Sequence, residues 1–172
     1  MTNYTIKRSD RKTLSITVNK DAAVIVHAPL YTDNDEIKRF IEKNREWLKE
    51  NITKTKRKNN EIFNIPKERL PEMKREALVY LTERVNRYCE IMGVRHTGIK
   101  ITTAKTRLGS CNGKNSLCFS VYLLNYPKEA VEYVVLHELV HIKHKNHGKA
   151  FYSRLQKYMP DYKERIKIIK GI

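Results

Sequence analysis

Two histidines that flank a glutamate, in the run His137-Glu138-Leu139-Val140-His141, are the residues of this chain best suited to chemistry. In an α-helix, residues four positions apart lie one above the other, so both imidazoles can reach a single ion. Glu138 is rotated by about 100° from His137, but its side chain is long enough to reach a water on that ion. The run therefore predicts a zinc site in which Glu138 acts as general base toward a zinc-bound water.

A catalytic zinc needs a third protein ligand and an open fourth position. His147 follows His141 by six residues and stands directly before Gly148, where a turn can fold it back toward the first two histidines. His144 is the alternative, but it lies at the far end of the predicted helix. We therefore expect the metal ligands to be His137, His141 and His147.

A histidine-rich helix end on the protein surface would be a simpler explanation, because cationic groups stabilise a helix C-terminus. The helical context of the run argues against it, since these residues provide an apolar helix body: Ala130, Val131, Val134, Val135 and Leu139.

The second half of the chain supplies the elements that must position this helix. The sequence predicts them in the following order: a helix at 71–92 that stops at Gly93, a strand at 99–101, a turn at 109–113, a strand at 117–123, a helix from Pro127 to about Lys145 and a short helix after Gly148.

The first part of the chain predicts a small antiparallel meander followed by a helix. Strands are expected near 4–6, 14–18 and 23–28, with a turn at 19–21. The helix begins near Asp33, where Glu36 completes a capping box, and its apolar stripe includes Trp47. The polar, basic stretch at 49–60 is interpreted as the helix end plus a linker.

Composition narrows the class of protein further. The net charge of +16 invites a nucleic-acid partner, although the basic residues are spread over most of the chain. No apolar run is long enough for a membrane helix, and the first residues do not resemble a secretion signal. The three cysteines do not form a disulfide framework or a zinc knuckle. We therefore expect a cytoplasmic protein that does not cross a membrane.

Most of the chain resembles the YgjP-like, or WLM-type, zinc metallopeptidase family, which is related to the SprT-like proteases. The matching segments are Arg107 with Gly109-Ser110-Cys111, the strand 117–123, Pro127, the run 133–141, the run 146–151 and 160–162, together with 11–16, 24–29 and the Trp47 helix. Two departures stand out, because the family usually has Trp where this chain has Leu108, and Asn-Trp where it has Ser120-Val121.

The resemblance implies an α+β, zincin-like fold with an active-site helix against a small sheet. It implies a domain at 61–172 with zinc ligands His137, His141 and His147 and catalytic Glu138, preceded at 1–60 by the meander and helix. The strand at 117–122 would be the edge that pairs with an extended peptide substrate, unless it is simply core. The oxyanion stabiliser is left open among Tyr122, Tyr126, His144, Tyr152 and Arg107.

We therefore expect a zinc metallopeptidase with a peptide or protein substrate. Two alternatives stay open: a nucleic-acid-associated protein with a DNA-linked, SprT-like protease activity, and a non-catalytic domain whose zinc is structural. DNA-stimulated cleavage would favour the first, and a fourth protein ligand would favour the second. The sequence does not determine the oligomeric state.

Overall fold

The computed structural model describes residues 3–19 and 21–170, so Lys20, in the middle of the predicted 19–21 turn, lies outside the described residues. Helices and two small sheets make up this part of the chain, which confirms the α+β class. The chain forms two compact units, Met1–Asn64 and Ile65–Ile172. None of the described helices is long and apolar enough to cross a membrane.

The N-terminal unit contains a three-stranded sheet and two helices. Its elements are β1 (Tyr4–Ser9), β2 (Ser15–Val18), β3 (Val24–Pro29), α1 (Asn34–Lys43) and α2 (Arg45–Phe63). The buried core consists of Val24, Val26, Ala28, Ile37 and Leu48. The alternation of buried and half-buried residues along β3 is the period-2 pattern of a strand with one face on a core.

The sheet differs from the predicted meander in the position of its first strand. β2 and β3 form the expected antiparallel hairpin, but β1 pairs in parallel with β3 on the other side, so the order is β1-β3-β2. The Arg8 guanidinium, at the end of β1, donates hydrogen bonds to the carbonyls of Pro29 and Thr32 after β3. Alternation along a strand predicts its buried face and not its neighbour, so the sequence could not give this order.

The stretch at 49–60, interpreted as helix end and linker, is helical, and that interpretation was wrong. One helix ends at Lys43, and α2 runs on to Phe63. Lys, Arg and Glu are good helix formers, and burial of Ile62 gives the polar helix an apolar contact near its end.

Asp33 is the N-cap of α1 as predicted, but its side chain makes no capping hydrogen bond. Trp47, expected on the buried stripe, is 45% exposed.

The C-terminal unit carries the predicted metal ligands. After a short 3₁₀ turn at Lys67–Arg69, its elements are α3 (Leu70–Met92), β4 (Gly98–Thr102), β5 (Gly109–Cys111), β6 (Ser116–Ser120), a 3₁₀ helix at Val121–Asn125, α4 (Lys128–Val140), α5 (Lys149–Tyr158) and α6 (Tyr162–Lys170). The predicted helix at 71–92 is confirmed, with its stop at Gly93. The last helix, α6, was not predicted.

The sheet of this unit has the order β4-β6-β5, with β6 parallel to β4 and antiparallel to β5. The segment 109–113 was predicted as a turn but contributes strand β5 before it turns, so that prediction was wrong. For the strand expected at 117–122, the structure favours the core alternative over the substrate-pairing edge, because β6 is the central strand. Leu117 and Phe119 of β6 are fully buried, which agrees with a core strand. The two edge strands are β4 and β5, and of these β5 packs on α4.

Helix α4 lies in the core of this unit and is buried on almost every side. It packs against α3, α5, α6 and β5. Buried residues along it are Ala130, Val131, Val134, Val135, Leu136, Leu139 and Val140. A helix that is apolar all round belongs in the centre of a domain. The helix ends at Val140, about one turn earlier than predicted, so His141 is its C-cap residue.

Gly93 allows a test of the helix stop. Its φ of +61° lies in the left-handed region, while an added Cβ would meet no atom within 4 Å. Gly93→Ala should therefore lower the free energy of unfolding by about 1 kcal/mol through backbone strain alone. Urea unfolding measures this change. Gly113→Ala is the control, because Gly113 has equal space and no positive φ; an equal loss in both variants would contradict the explanation.

Candidate metal centre

The three predicted ligands come together at the C-terminal end of α4. The Nε2 atom of His147 lies 3.0 Å from Nε2 of His137 and 3.1 Å from Nε2 of His141. One ligand atom from each of the three histidines lies within 4.8 Å of the others. Ligands of a tetrahedral zinc at a Zn–N distance of about 2.1 Å would be about 3.4 Å apart, so the three imidazoles fit such an ion.

The other ring nitrogens of the two helix histidines have partners of their own. His137 Nδ1 lies 3.2 Å from the Tyr133 hydroxyl, and His141 Nδ1 lies 3.0 Å from the backbone carbonyl of His144. A carbonyl only accepts, so His141 carries its proton on Nδ1 and leaves the Nε2 lone pair free. Such outer hydrogen bonds orient metal-binding histidines and select their tautomer. The carbonyl of His144 thus prepares Nε2 of His141 for an ion, and the Tyr133 hydroxyl can accept from His137 Nδ1 and leave Nε2 of His137 available in the same way.

A buried phenylalanine lies beneath the three imidazoles. The Phe151 ring of α5 is fully buried, and its centroid lies 4.9, 4.7 and 4.6 Å from those of His137, His141 and His147. Gly148 ends the loop, and α5 begins at the next residue. The packing of α5 against α4 therefore brings His147 back to the helix, which was the fold-back expected from the sequence.

Glu138 points toward the sheet and is 6% exposed. A Cβ built on Gly109 would lie 2.8 Å from Cγ and Oε1 of Glu138, so β5 touches this carboxyl group directly. Burial raises the pKa of Glu138 to about 7, and the positive charge of Arg107 opposes the rise. A carboxyl group with a pKa near neutrality can accept and return a proton at physiological pH.

Burial also lowers the pKa values of two of the three histidines. The pKa of His137 falls to about 4, because burial and the charges of His141 and His147 disfavour its protonation. Burial lowers the pKa of His141 as well. Neutral imidazoles are the form that binds metals. Within the described residues, the cluster consists of these three histidines, and neither His144 nor a cysteine belongs to it.

The profile of the YgjP-like metallopeptidase domain matches residues 12–73 and 65–171. The chain belongs to the YgjP-like metallopeptidase family. Membership in this family makes it a metal-dependent peptidase, which implies a divalent metal and a peptide or protein substrate. The three convergent histidines provide a place for that metal.

Two solved structures are similar to parts of the YgjP-like chain. The metallopeptidase zymogen abylysin of Pyrococcus abyssi is 21% identical, with a TM-score of 0.45 over 51% of this chain and 91% of its own. The zymogen jannalysin of Methanocaldococcus jannaschii is 28% identical, with a TM-score of 0.47 over 53% of this chain and 95% of its own. No curated protein matches the chain significantly.

Three residues of this YgjP-like site had no role in the sequence-based prediction. Tyr133 was detectable, because it precedes His137 by four positions on one helix. Phe151 and Gly109 reach the site only through the packing of α5 and β5 on α4. Among the candidate oxyanion stabilisers, Tyr122 is 5% exposed and Tyr152 is 39% exposed, with its ring 6.3 Å from that of His147.

The hydrogen bond of Tyr133 leads to a prediction about metal affinity. Tyr133→Phe should weaken metal binding by about tenfold, because His137 loses the partner that orients its ring. Competition with a chromophoric chelator measures the dissociation constant. Tyr152→Phe is the control, since it also removes a hydroxyl from a tyrosine near the histidines but leaves the His137 partner in place. Equal affinity of the Tyr133→Phe variant and the unmodified protein would contradict this role.

Proposed function

We propose that the chain is a zinc peptidase in which His137, His141 and His147 bind the ion and Glu138 is the general base. The observation that carries the proposal is the convergence of the three Nε2 atoms within about one ligand spacing. No fourth His, Cys, Asp or Glu joins the cluster among the described residues, which favours an open position over a closed structural site. Three imidazoles and an open position are typical of catalytic zinc.

Zinc held by these residues would act as a Lewis acid toward the scissile carbonyl and would increase the acidity of a water molecule. The Glu138 carboxylate accepts the proton of the attacking water and then donates it to the leaving amine. Its burial against Gly109 keeps bulk water away from the proton and holds the carboxyl group in one direction. Family membership supports the peptide bond as the target.

Strand β5 is the proposed docking edge for the substrate. It is the outer strand of the sheet on the side of Glu138, and its residues Gly109–Cys111 pair only with β6 within the described sheet. An extended peptide that added to this edge would run past the Glu138 carboxyl group. The close packing of β5 on α4 requires a glycine at position 109, because a Cβ there would collide with Glu138 and Val134.

Glu138→Gln tests the general base. The amide keeps the size of the side chain but cannot accept a proton from water, so kcat should fall by about 10²- to 10⁴-fold while zinc stays bound. Hydrolysis of labelled casein and zinc content by mass spectrometry measure the two quantities. A zinc-loaded variant with full activity would refute the role of Glu138, and loss of zinc together with activity would assign it to metal binding instead.

A second pair of variants tests the ligands. His147→Ala should abolish stoichiometric zinc binding, because it removes one of three donors. His144→Ala should retain zinc, since the contribution of His144 to the centre is its backbone carbonyl, which the substitution preserves. Zinc content after dialysis measures both. Retention of zinc by His147→Ala and its loss from His144→Ala would show that His144, and not His147, is the third ligand.

A further inference from the structure

Acidic residues are absent from the two stretches of chain that contain β5 and α5, which are elements packed on α4. Residues 91–128, which include the sheet, and 139–160, which include His141, His147 and α5, contain eleven Lys and Arg residues and no Asp or Glu. At the average of 19 acidic residues in 172, stretches of this length would hold about seven. These stretches are thus depleted of acidic residues, and they carry a net positive charge because their Lys and Arg residues are not balanced.

Basic residues of these stretches lie next to the proposed catalytic groups. Arg107 is exposed, precedes Gly109 by two residues and acts electrostatically on Glu138. Lys145 is exposed, precedes His147 by two residues and acts on His141. Positive charge therefore borders the site on the β5 side and on the loop side.

Neither of these two cations forms a salt bridge with a carboxylate in the part of the chain that the structure describes. Lys145 Nζ donates to the carbonyl of Asn112 at 3.1 Å and to Oδ1 of Asn115 at 2.8 Å, both uncharged groups. Neither Arg107, Lys145 nor Lys149 is part of a salt bridge in the described residues, although other basic residues of this unit form them, as Arg165 does with Glu132 and Asp161.

The acidic residues of this unit lie on other elements. They are Glu68, four glutamates of α3, Glu129 and Glu132 of α4, and Asp161 and Glu164 at the start of α6, besides Glu138 itself. The net positive charge of this unit is therefore carried by the stretches that contain β5, the His147 loop and α5, and it would attract anionic ligands and repel cationic ones.

From this arrangement we infer that the site takes acidic peptide segments, with Asp or Glu on the residues that flank the scissile bond. The inference rests on the proposed peptidase function and adds the substrate class to it. A peptide added to β5 would pass both Arg107 and Lys145, neither of which forms a salt bridge within the described chain.

Binding can be measured without hydrolysis on the zinc-loaded Glu138→Gln variant. Fluorescence anisotropy compares three labelled peptides of equal length that alternate Ala with Glu, Gln or Lys. The Glu peptide should bind at least about tenfold more tightly than the Gln peptide at about 50 mM salt, and this advantage should shrink at about 200 mM. Equal affinity for the Glu and Gln peptides would overturn the inference.

Charge-reversal variants in the Glu138→Gln background locate the effect. Lys149 is exposed and follows His147 by two residues. Arg107→Glu and Lys149→Glu should each weaken binding of the Glu peptide about fivefold and leave the Gln peptide unchanged. Lys149 begins α5, where a negative side chain stabilises the helix, so a weaker complex would not reflect a weaker fold. Lys74→Glu on α3 is the matched control and should leave binding unchanged. If Lys74→Glu weakened binding equally, the effect would depend on net charge and not on position, and the inference would be overturned.

Hydrolysis by the unmodified protein separates this inference from the proposed function. Mass spectrometry of a digested peptide library should show cleavage sites enriched in flanking Asp and Glu. Cleavage without this enrichment would refute the inference and leave the peptidase intact. Selective binding of the Glu peptide without any cleavage would support the acidic surface and refute the peptidase. Single-stranded DNA that stimulates cleavage, with no preference for acidic peptides, would assign the basic residues to nucleic acid and overturn the inference.

Discussion

The metal centre depends on the burial of α4 in the middle of the C-terminal unit. A helix packed on nearly every side has little freedom to rotate, so His137 and Glu138 leave it in fixed directions. Packing of α5 against α4 then determines where His147 lies, through the contact of Phe151 with all three imidazoles. Apolar contacts thus position the polar groups, and no extended network of salt bridges is needed to orient them.

The close approach of β5 to α4 gives Glu138 its properties. With no side chain on Gly109, the strand backbone covers the carboxyl group, and the resulting burial raises its pKa. Desolvation and a single nearby cation act in opposite directions, and desolvation is the larger effect. In the proposed mechanism, the same contact places the exposed sheet edge beside the general base.

Charge is distributed unevenly around this arrangement. Ion pairs such as Arg165 with Glu132 join the helices of the C-terminal unit, while Arg107 and Lys145 form no salt bridge within the described residues. The net charge of +16 first suggested nucleic acid. In the fold, Arg107 and Lys145 lie beside the candidate site, and in the proposed peptidase they would favour an acidic peptide instead. The bulk charge alone did not distinguish these partners, because it carries no information about position.

The sequence alone predicted the local features, since helix periodicity and stop signals act between residues a few positions apart. His137 and His141 on one helix face, the stop at Gly93 and the fold-back of His147 are of this kind. Only the tertiary structure decided which strand is central, that β1 is parallel to β3, and that Gly109 and Phe151 complete the site. These depend on pairing and packing between distant segments, and the alternation of a strand shows which side is buried without showing which strand lies beside it.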